Sequence, residues 1–187
     1  MSIVTKKGDS GSTFLCRGKK ISKDHLRLET NGTLDELCSF LGMARSLTKN
    51  SRIRKIIESI QKNLFLIGTE VATEKRFLKQ LKKRIDKDKV SGLERIIKQL
   101  ESRKSIGKGY FCLPGGGFFS SILDINRTVA RRLERRLVAL KRKKMLFNGQ
   151  IIVYINRLSD LLYLLARQQE KEHRRITISQ LKGRRDI

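Results

Sequence analysis

The run NRTVARRLERR at residues 126–136 constrains the chain more than any other stretch. Read as a helix together with its flanks, it puts Ile122, Ile125, Val129, Leu133, Leu137 and Leu140 on one stripe at about 100° per residue, and that stripe is predicted to be buried. A second stripe is charged. Arg127, Arg131, Glu134 and Arg135 stand at i, i+4, i+7 and i+8 and share a face. Three guanidiniums beside one carboxylate make a poor core, whereas their forks match phosphate oxygens two at a time. In isolation, a solvated face with an i, i+3 or i+4 ion pair is the plainer account.

The rest of the chain shifts that balance. With 187 residues, 39% of them apolar, it is long enough for one domain with a sizeable core. Aromatics at 6% and a single proline, Pro114, suit helices better than a β-sandwich. The 43 Lys and Arg against 18 Asp and Glu give a net charge of +25, a field that favours polyanions: nucleotides, nucleic acid or an anionic membrane. Cys16, Cys38 and Cys112 are far apart, with only His25 and His173 available to join them. No zinc pattern or disulfide framework follows, so each is expected to be a buried neutral thiol in a reducing compartment. The N-terminus has no apolar signal region, and no stretch approaches about 18 consecutive apolar residues. A soluble cytoplasmic protein with no membrane partner is expected.

In chain order, residues 1–24 read as a glycine-rich loop region. Gly8 and Gly11 stand among Thr5, Lys6, Lys7, Asp9, Ser10, Ser12 and Thr13, a composition able to cradle an anion with backbone N–H groups and side-chain donors. No GK[ST] closes it, so it is not a P-loop. A first helix is expected from Thr33, capped by its hydroxyl with Glu36 completing a capping box, and with Leu34, Leu37, Leu41 and Leu47 on its apolar face. Asp35 falls in that first turn, where the helix dipole favours a carboxylate. A second helix spans 51–73. The stretch FLKQLKKRIDKDK (77–89) reads as a solvated basic connector, and a short third helix runs from Ser91 to about Arg103. YFCLPGGG (110–117) is a strand-like turn whose glycines permit close backbone approach by a large ligand or a neighbouring chain. The arginine helix covers about 119–144. The last helix carries 153–167, with Asn156, Asp160, Tyr163 and Arg167 forming a polar stripe that needs partners. Residues 172–187 are expected to be a flexible tail. Five helices with short links indicate an all-α, five-helix up-and-down bundle. There is no Ser/His/Asp or Cys/His set and no clear pair of carboxylates. Any chemistry would rest on positioning and electrostatics, with substrate or cofactor supplying the nucleophile.

Three stretches together carry a family resemblance: TKKGDSGST (5–13), FCLPGGG (111–117) with NRTVARRLERR (126–136), and YINRLSDLLYLLAR (154–167). In this order and spacing the chain resembles the ATP:cob(I)alamin adenosyltransferases of the propanediol-utilisation type over roughly residues 3–170, and RLETNGTLDEL (27–37) fits the same family. The resemblance implies a five-helix bundle assembled as a homotrimer, with an active site at each subunit interface. It implies that ATP is bound by the loop 5–13, Lys23, the segment holding Arg131, Arg132, Glu134 and Arg135, and Asn156 with Asp160. Arg127 would pair with Asp35 of another subunit. Phe111 would lie under the corrin ring in place of the lower axial base. Magnesium would bridge phosphate oxygens, with no metal site of the protein's own. ATP and cobalamin are the implied small-molecule partners, and a corrinoid reductase and an adenosylcobalamin-dependent mutase the protein partners such an enzyme would serve. Four positions depart from the family pattern: Lys7, Asn31, Cys38, and Asp124, where a histidine is common.

The alternative from another class is a basic helical RNA-binding or ribosome-associated protein without catalytic activity. It accounts for the net charge and for KRKK (141–144) and GRR (183–185). It leaves the PGGG turn and the polar stripe unexplained, and no RNA-module signature accompanies it.

Overall fold

A computed structural model describes residues 4, 6, 8–16, 18–102, 110–170 and 175–177. In order they form β1 (Ser12–Phe14), β2 (Lys20–Ser22), α1 (Leu26–Leu47), α2 (Ser51–Val71), a 3₁₀ helix (Lys75–Gln80), α3 (Lys87–Glu101), β3 (Tyr110–Cys112), α4 (Phe118–Arg142), α5 (Gln150–Gln168) and β4 (Arg175–Thr177). The expectation of an all-α chain is thereby corrected to a mostly helical one with two small antiparallel ribbons, β1–β2 and β3–β4.

The 3.6-residue periodicity of α4 decides the packing. Leu133, Leu137 and Leu140 are wholly inaccessible, and Ile122 and Val129 nearly so, while Ile125 is exposed and drops out of the expected stripe. α4 packs against both α1 and α5, α1 also against α2, and α5 against α3. α5 is apolar almost all round and so takes the central place, with Ile151, Ile155, Leu158, Leu161 and Leu162 inaccessible. Each such side chain contributes about 1.5–3 kcal/mol by leaving water.

Two boundaries differ from those expected. α1 begins at Leu26, a full two turns before Thr33, and its cap is His25, whose Nδ1 accepts from the Arg27 N–H at 3.1 Å. Thr33 is buried inside the helix with its hydroxyl donating to the Glu29 carbonyl at 3.0 Å, and Glu36 pairs with Arg132 instead of closing a capping box. Buried Arg27 explains the early start: its Nη1 donates to the carbonyls of Val71 and Thr73, tying the first turn of α1 to the end of α2. α3 begins at Lys87, earlier than Ser91, because Asp86 accepts from the Lys89 N–H at 2.9 Å.

The connector 77–89 is not a simple solvated stretch. Leu78 and Ile85 are buried, and buried Glu70 accepts from the Ile85 N–H at 2.8 Å, Arg84 Nε at 2.9 Å and Asn148 Nδ2 at 2.9 Å. One carboxylate thus gathers the end of α2, the connector and the α4–α5 turn. The flexible tail is corrected at residues 175–177, where β4 pairs with β3 in the register Tyr110↔Thr177, Phe111↔Ile176 and Cys112↔Arg175. Residues 171–174 and 178–187 lie outside the described residues. No helix among the described residues is long and apolar enough to cross a membrane.

Candidate active site

The glycine-rich loop folds onto the ribbon that follows it. Gly11 adopts φ 72°, a left-handed geometry suited to glycine, and its carbonyl accepts from the Lys23 N–H at 2.9 Å. A Cβ at Gly8 would sit 2.9 Å from Lys23 Nζ, so glycine there lets the ammonium lie against the loop. Gly11 N–H donates to the Gly8 carbonyl at 3.2 Å, Asp9 N–H to Lys6 at 3.3 Å, and the Ser10 and Ser12 hydroxyls lie 3.0 Å apart. Thr13 faces Ile21 across the ribbon. The ribbon is tethered to the end of α2, where Cys16 N–H donates to Ala72 at 3.0 Å and Lys19 N–H to Glu74 Oε1 at 2.9 Å. Thr5 and Lys7 lie outside the described residues.

Lys23 also lines a cleft of ≈ 400 Å³ between α1 and α4, together with Glu29, Gly32, Glu36, Arg132 and Arg136. Here Arg132 pairs with Glu36 and Arg136 with Glu29, so both cations are already met within the chain.

The other face of α4 opens on a groove of ≈ 830 Å³ between α3, α4 and α5, lined by Arg127, Arg131, Arg157, Asp160, Glu94, Glu101 and Tyr163 among others. Arg131 is exposed, and Arg135 donates back to its carbonyl at 3.1 Å. Glu134 accepts from Asn156 Nδ2 at 3.0 Å, and Asn156 Oδ1 accepts from Arg157 at 2.8 Å. Partial desolvation pushes the Asp160 carboxyl above its ordinary value, with Arg157 and Arg131 opposing and Glu134 and Glu101 reinforcing the shift.

At the N-terminus of α4, Phe111 is 60% exposed beside exposed Leu113 and Phe118. A large aromatic ring held in solvent above a glycine turn is an unsatisfied apolar surface, and it rules out a core role for Phe111. Beneath the turn, Asp124 accepts from Arg127 Nε at 3.2 Å and from Arg167.

The structure therefore joins the predicted residues in two groups: Gly8, Asp9, Ser10, Gly11, Ser12 and Thr13 with Lys23 and, across the cleft, Arg132; and Arg127, Arg131 and Asp160 with the Glu134–Asn156 pair beside them. It does not join Asp35 to Arg127. Asp35 is exposed on α1 at a hollow of ≈ 270 Å³ shared with Cys38, Phe65 and Thr69, whereas the ion pair of Arg127 within the chain is to Asp124. The cysteines are free, but only partly as expected: Cys16 is exposed and Cys38 and Cys112 are half-buried, with desolvation raising the Cys38 thiol above its ordinary value. Sequence reasoning missed Arg27, Glu70 and Glu170. A buried carboxylate leaves no periodic signal when it falls at or beyond a helix end, as Glu170 does.

The fold and site define a helical-bundle protein with a cationic groove on one face of its longest helix and an exposed aromatic turn leading into that helix. The chain matches the Cobalamin adenosyltransferase family over residues 3–169 and belongs to it. It is similar to the corrinoid adenosyltransferase of Citrobacter freundii, with 39% identity over 168 residues, 90% of this chain and 94% of that one. It is 38% identical over 172 residues to corrinoid adenosyltransferase PduO of the same organism, covering 92% of this chain and spanning about half (51%) of that protein. The fold is also similar to that of a variant PduO-type ATP:corrinoid adenosyltransferase from Lactobacillus reuteri, complexed with cobalamin and ATP. That match has a TM-score of 0.84 and 30% identity, covering 94% of this chain and 98% of that one.

Proposed function

We propose that the chain transfers the 5′-deoxyadenosyl group of ATP to the cobalt of reduced cob(I)alamin, giving adenosylcobalamin and triphosphate. The C5′–O bond of ATP breaks, the electron pair of Co(I) forms the cobalt–carbon bond, and triphosphate leaves with the released pair. The substrate is itself the nucleophile, so the protein's tasks are to hold C5′ in line with cobalt and to stabilise charge gathering on the triphosphate.

The observation that carries this is the Arg127–Arg131 face on its groove, on the same helix that the exposed Phe111 turn leads into. Arg131 and Arg135 of one copy, with the loop from Thr5 to Thr13 and Lys23 of a neighbouring copy, serve the triphosphate. Asn156, oriented by Glu134, and Asp160 serve the nucleoside end. Magnesium would be held mainly by the triphosphate oxygens and would help neutralise the charge of the leaving group. Phe111 packs under the corrin and fills the lower axial position, which eases reduction of Co(II) to Co(I).

The active form is a homotrimer in the cytoplasm. Asp35 and Phe65, 67% exposed, line a hollow separate from the Arg127 groove, which supports a pair between Asp35 of one copy and Arg127 of another. Light scattering should give a trimer, weakened by Asp35→Asn; a stable monomer at micromolar concentration would count against this assembly.

The decisive assay is spectral conversion of reduced cobalamin to its adenosyl form by the purified protein with ATP and magnesium; no conversion over the buffer blank would sink the function. Phe111→Ala should stay folded and keep ATP binding, lose the four-coordinate Co(II) spectrum, and recover much of its rate with chemically reduced Co(I). Equal failure with Co(I) would remove the axial role. The RNA-binding alternative finds no support in the family match.

A further inference from the structure

We propose that Asp124 and Arg167 are positioning residues that couple the two ends of the site: a buried ion network that seats the Phe111 turn and holds Arg127, so that corrinoid and ATP sense one another through it. This rests on the adenosyltransferase function above. Arg167, on α5, is wholly buried, and Asp124 and Glu170 are only 5% and 3% exposed. Arg167 donates through Nη2 to Asp124 Oδ2, lies 3.2 Å from Glu170 Oε1, and reaches the Leu113 carbonyl through Nη1 at 3.4 Å. The other oxygen of Asp124 accepts from Arg127 Nε at 3.2 Å. One carboxylate thus holds two arginines, one beneath the turn and one lining the groove.

The turn rests on this network at a second point. A Cβ at Gly116 would lie 2.6 Å from the Glu170 carboxyl carbon, so the backbone can settle onto Glu170 only because residue 116 is glycine. Two arginines and two carboxylates make the cluster formally neutral, which suits a site withdrawn from water. Such a network shifts as a whole, since moving one guanidinium leaves another charge unmet. Asp124 and Arg167 line neither the groove nor the cleft, so their effect on the substrates passes through their neighbours: Leu113 and Gly116 at the turn, and Arg127 and Tyr163, whose ring lies 5.5 Å from the Arg167 guanidinium, at the groove.

Coupling of this kind is measurable apart from turnover. Equilibrium dialysis of cob(II)alamin against the assembled protein, without ATP and at saturating ATP with magnesium, gives the ratio of the two dissociation constants. In the wild-type protein we expect a ratio of at least about fivefold, and by linkage the same ratio for ATP. Asp124→Asn removes the charge but keeps the shape; Arg167→Lys keeps the charge but cannot hold Asp124 and Leu113 together; Gly116→Ala pushes the turn off Glu170, and a melting curve for each variant confirms that the protein compared is folded. Each should bring the ratio below about twofold, and Asp124→Asn with Arg167→Lys should fall no further than the poorer single variant. A wild-type ratio near one, or a ratio kept by the folded variants, overturns the proposal. A wild-type protein that fails to adenosylate cobalamin overturns the function instead, and the two failures are told apart by that single control.

Discussion

Arg131 and Arg167 sit on adjoining helices and have opposite environments. Arg131 is exposed on α4 at the rim of the groove, with Asp160 lining the same space. Arg167 is wholly buried on α5, its guanidinium shared between Asp124 and Glu170 and set over the Tyr163 ring at 5.5 Å. A buried arginine must be compensated where it stands, and once compensated it stiffens its surroundings and has little left for a ligand. An exposed arginine on a cationic face keeps its attraction for an incoming anion. The two regions differ in what they leave free: one is committed to the turn, the other stays open at the groove.

The largest effect should come from breaking the buried member. Arg167→Met leaves Asp124 and Glu170 without their shared cation and should cost about 3–5 kcal/mol of stability. Urea denaturation measures it; a loss below about 1 kcal/mol would mean that water reaches the pair. Arg131→Ala should show the converse pattern, with stability within about 0.5 kcal/mol of wild type and turnover reduced at least about tenfold, roughly 1.4 kcal/mol in the barrier. Steady-state kinetics beside a melting curve separates these, and intact turnover would reduce the α4 face to a solvated surface.

Asp160 sharpens the contrast through pH. Its folded value is raised above the unfolded one, so its contribution to stability is lost as pH rises from the ordinary aspartate range through the folded value, and stays lost above it. Asp160→Asn should therefore flatten that decline and leave neutral-pH stability equal or slightly higher. Denaturation midpoints at acidic and neutral pH would expose a wrong sign. The smallest effect belongs to Lys143→Ala, at the solvated end of α4, where turnover should stay within about twofold. A larger change would tie the basic cluster 141–144 to function.

Much of the helical framework was legible because burial at a 3.6-residue period leaves a repeating mark, as at Val129, Leu133, Leu137 and Leu140. The candidate site was proposed from ordered motifs: the loop with Lys23, the Phe111 turn, and the arginine face. The N-terminus of α1 was not. Gly32 and Thr33 look like a boundary locally, yet Arg27, anchored on the end of α2, carries the helix two turns further back. The connector misled for a similar reason, since Ile85 and Leu78 are few among many lysines and only Glu70, from another helix, shows why they are buried.

Sequence alone determined which faces are apolar, where the arginines cluster and which family the motifs resemble, because these depend on residues near in the chain. The tertiary structure alone decided which arginines are spent on architecture and which stay exposed. Arg127, Arg132, Arg136 and Arg167 each find a carboxylate from a neighbouring turn or another helix, while Arg131 lines the open groove. Charge compensation acts through space over a few ångströms, and the carboxylate that answers Arg132 stands nearly a hundred residues away in the chain (|i−j| = 96).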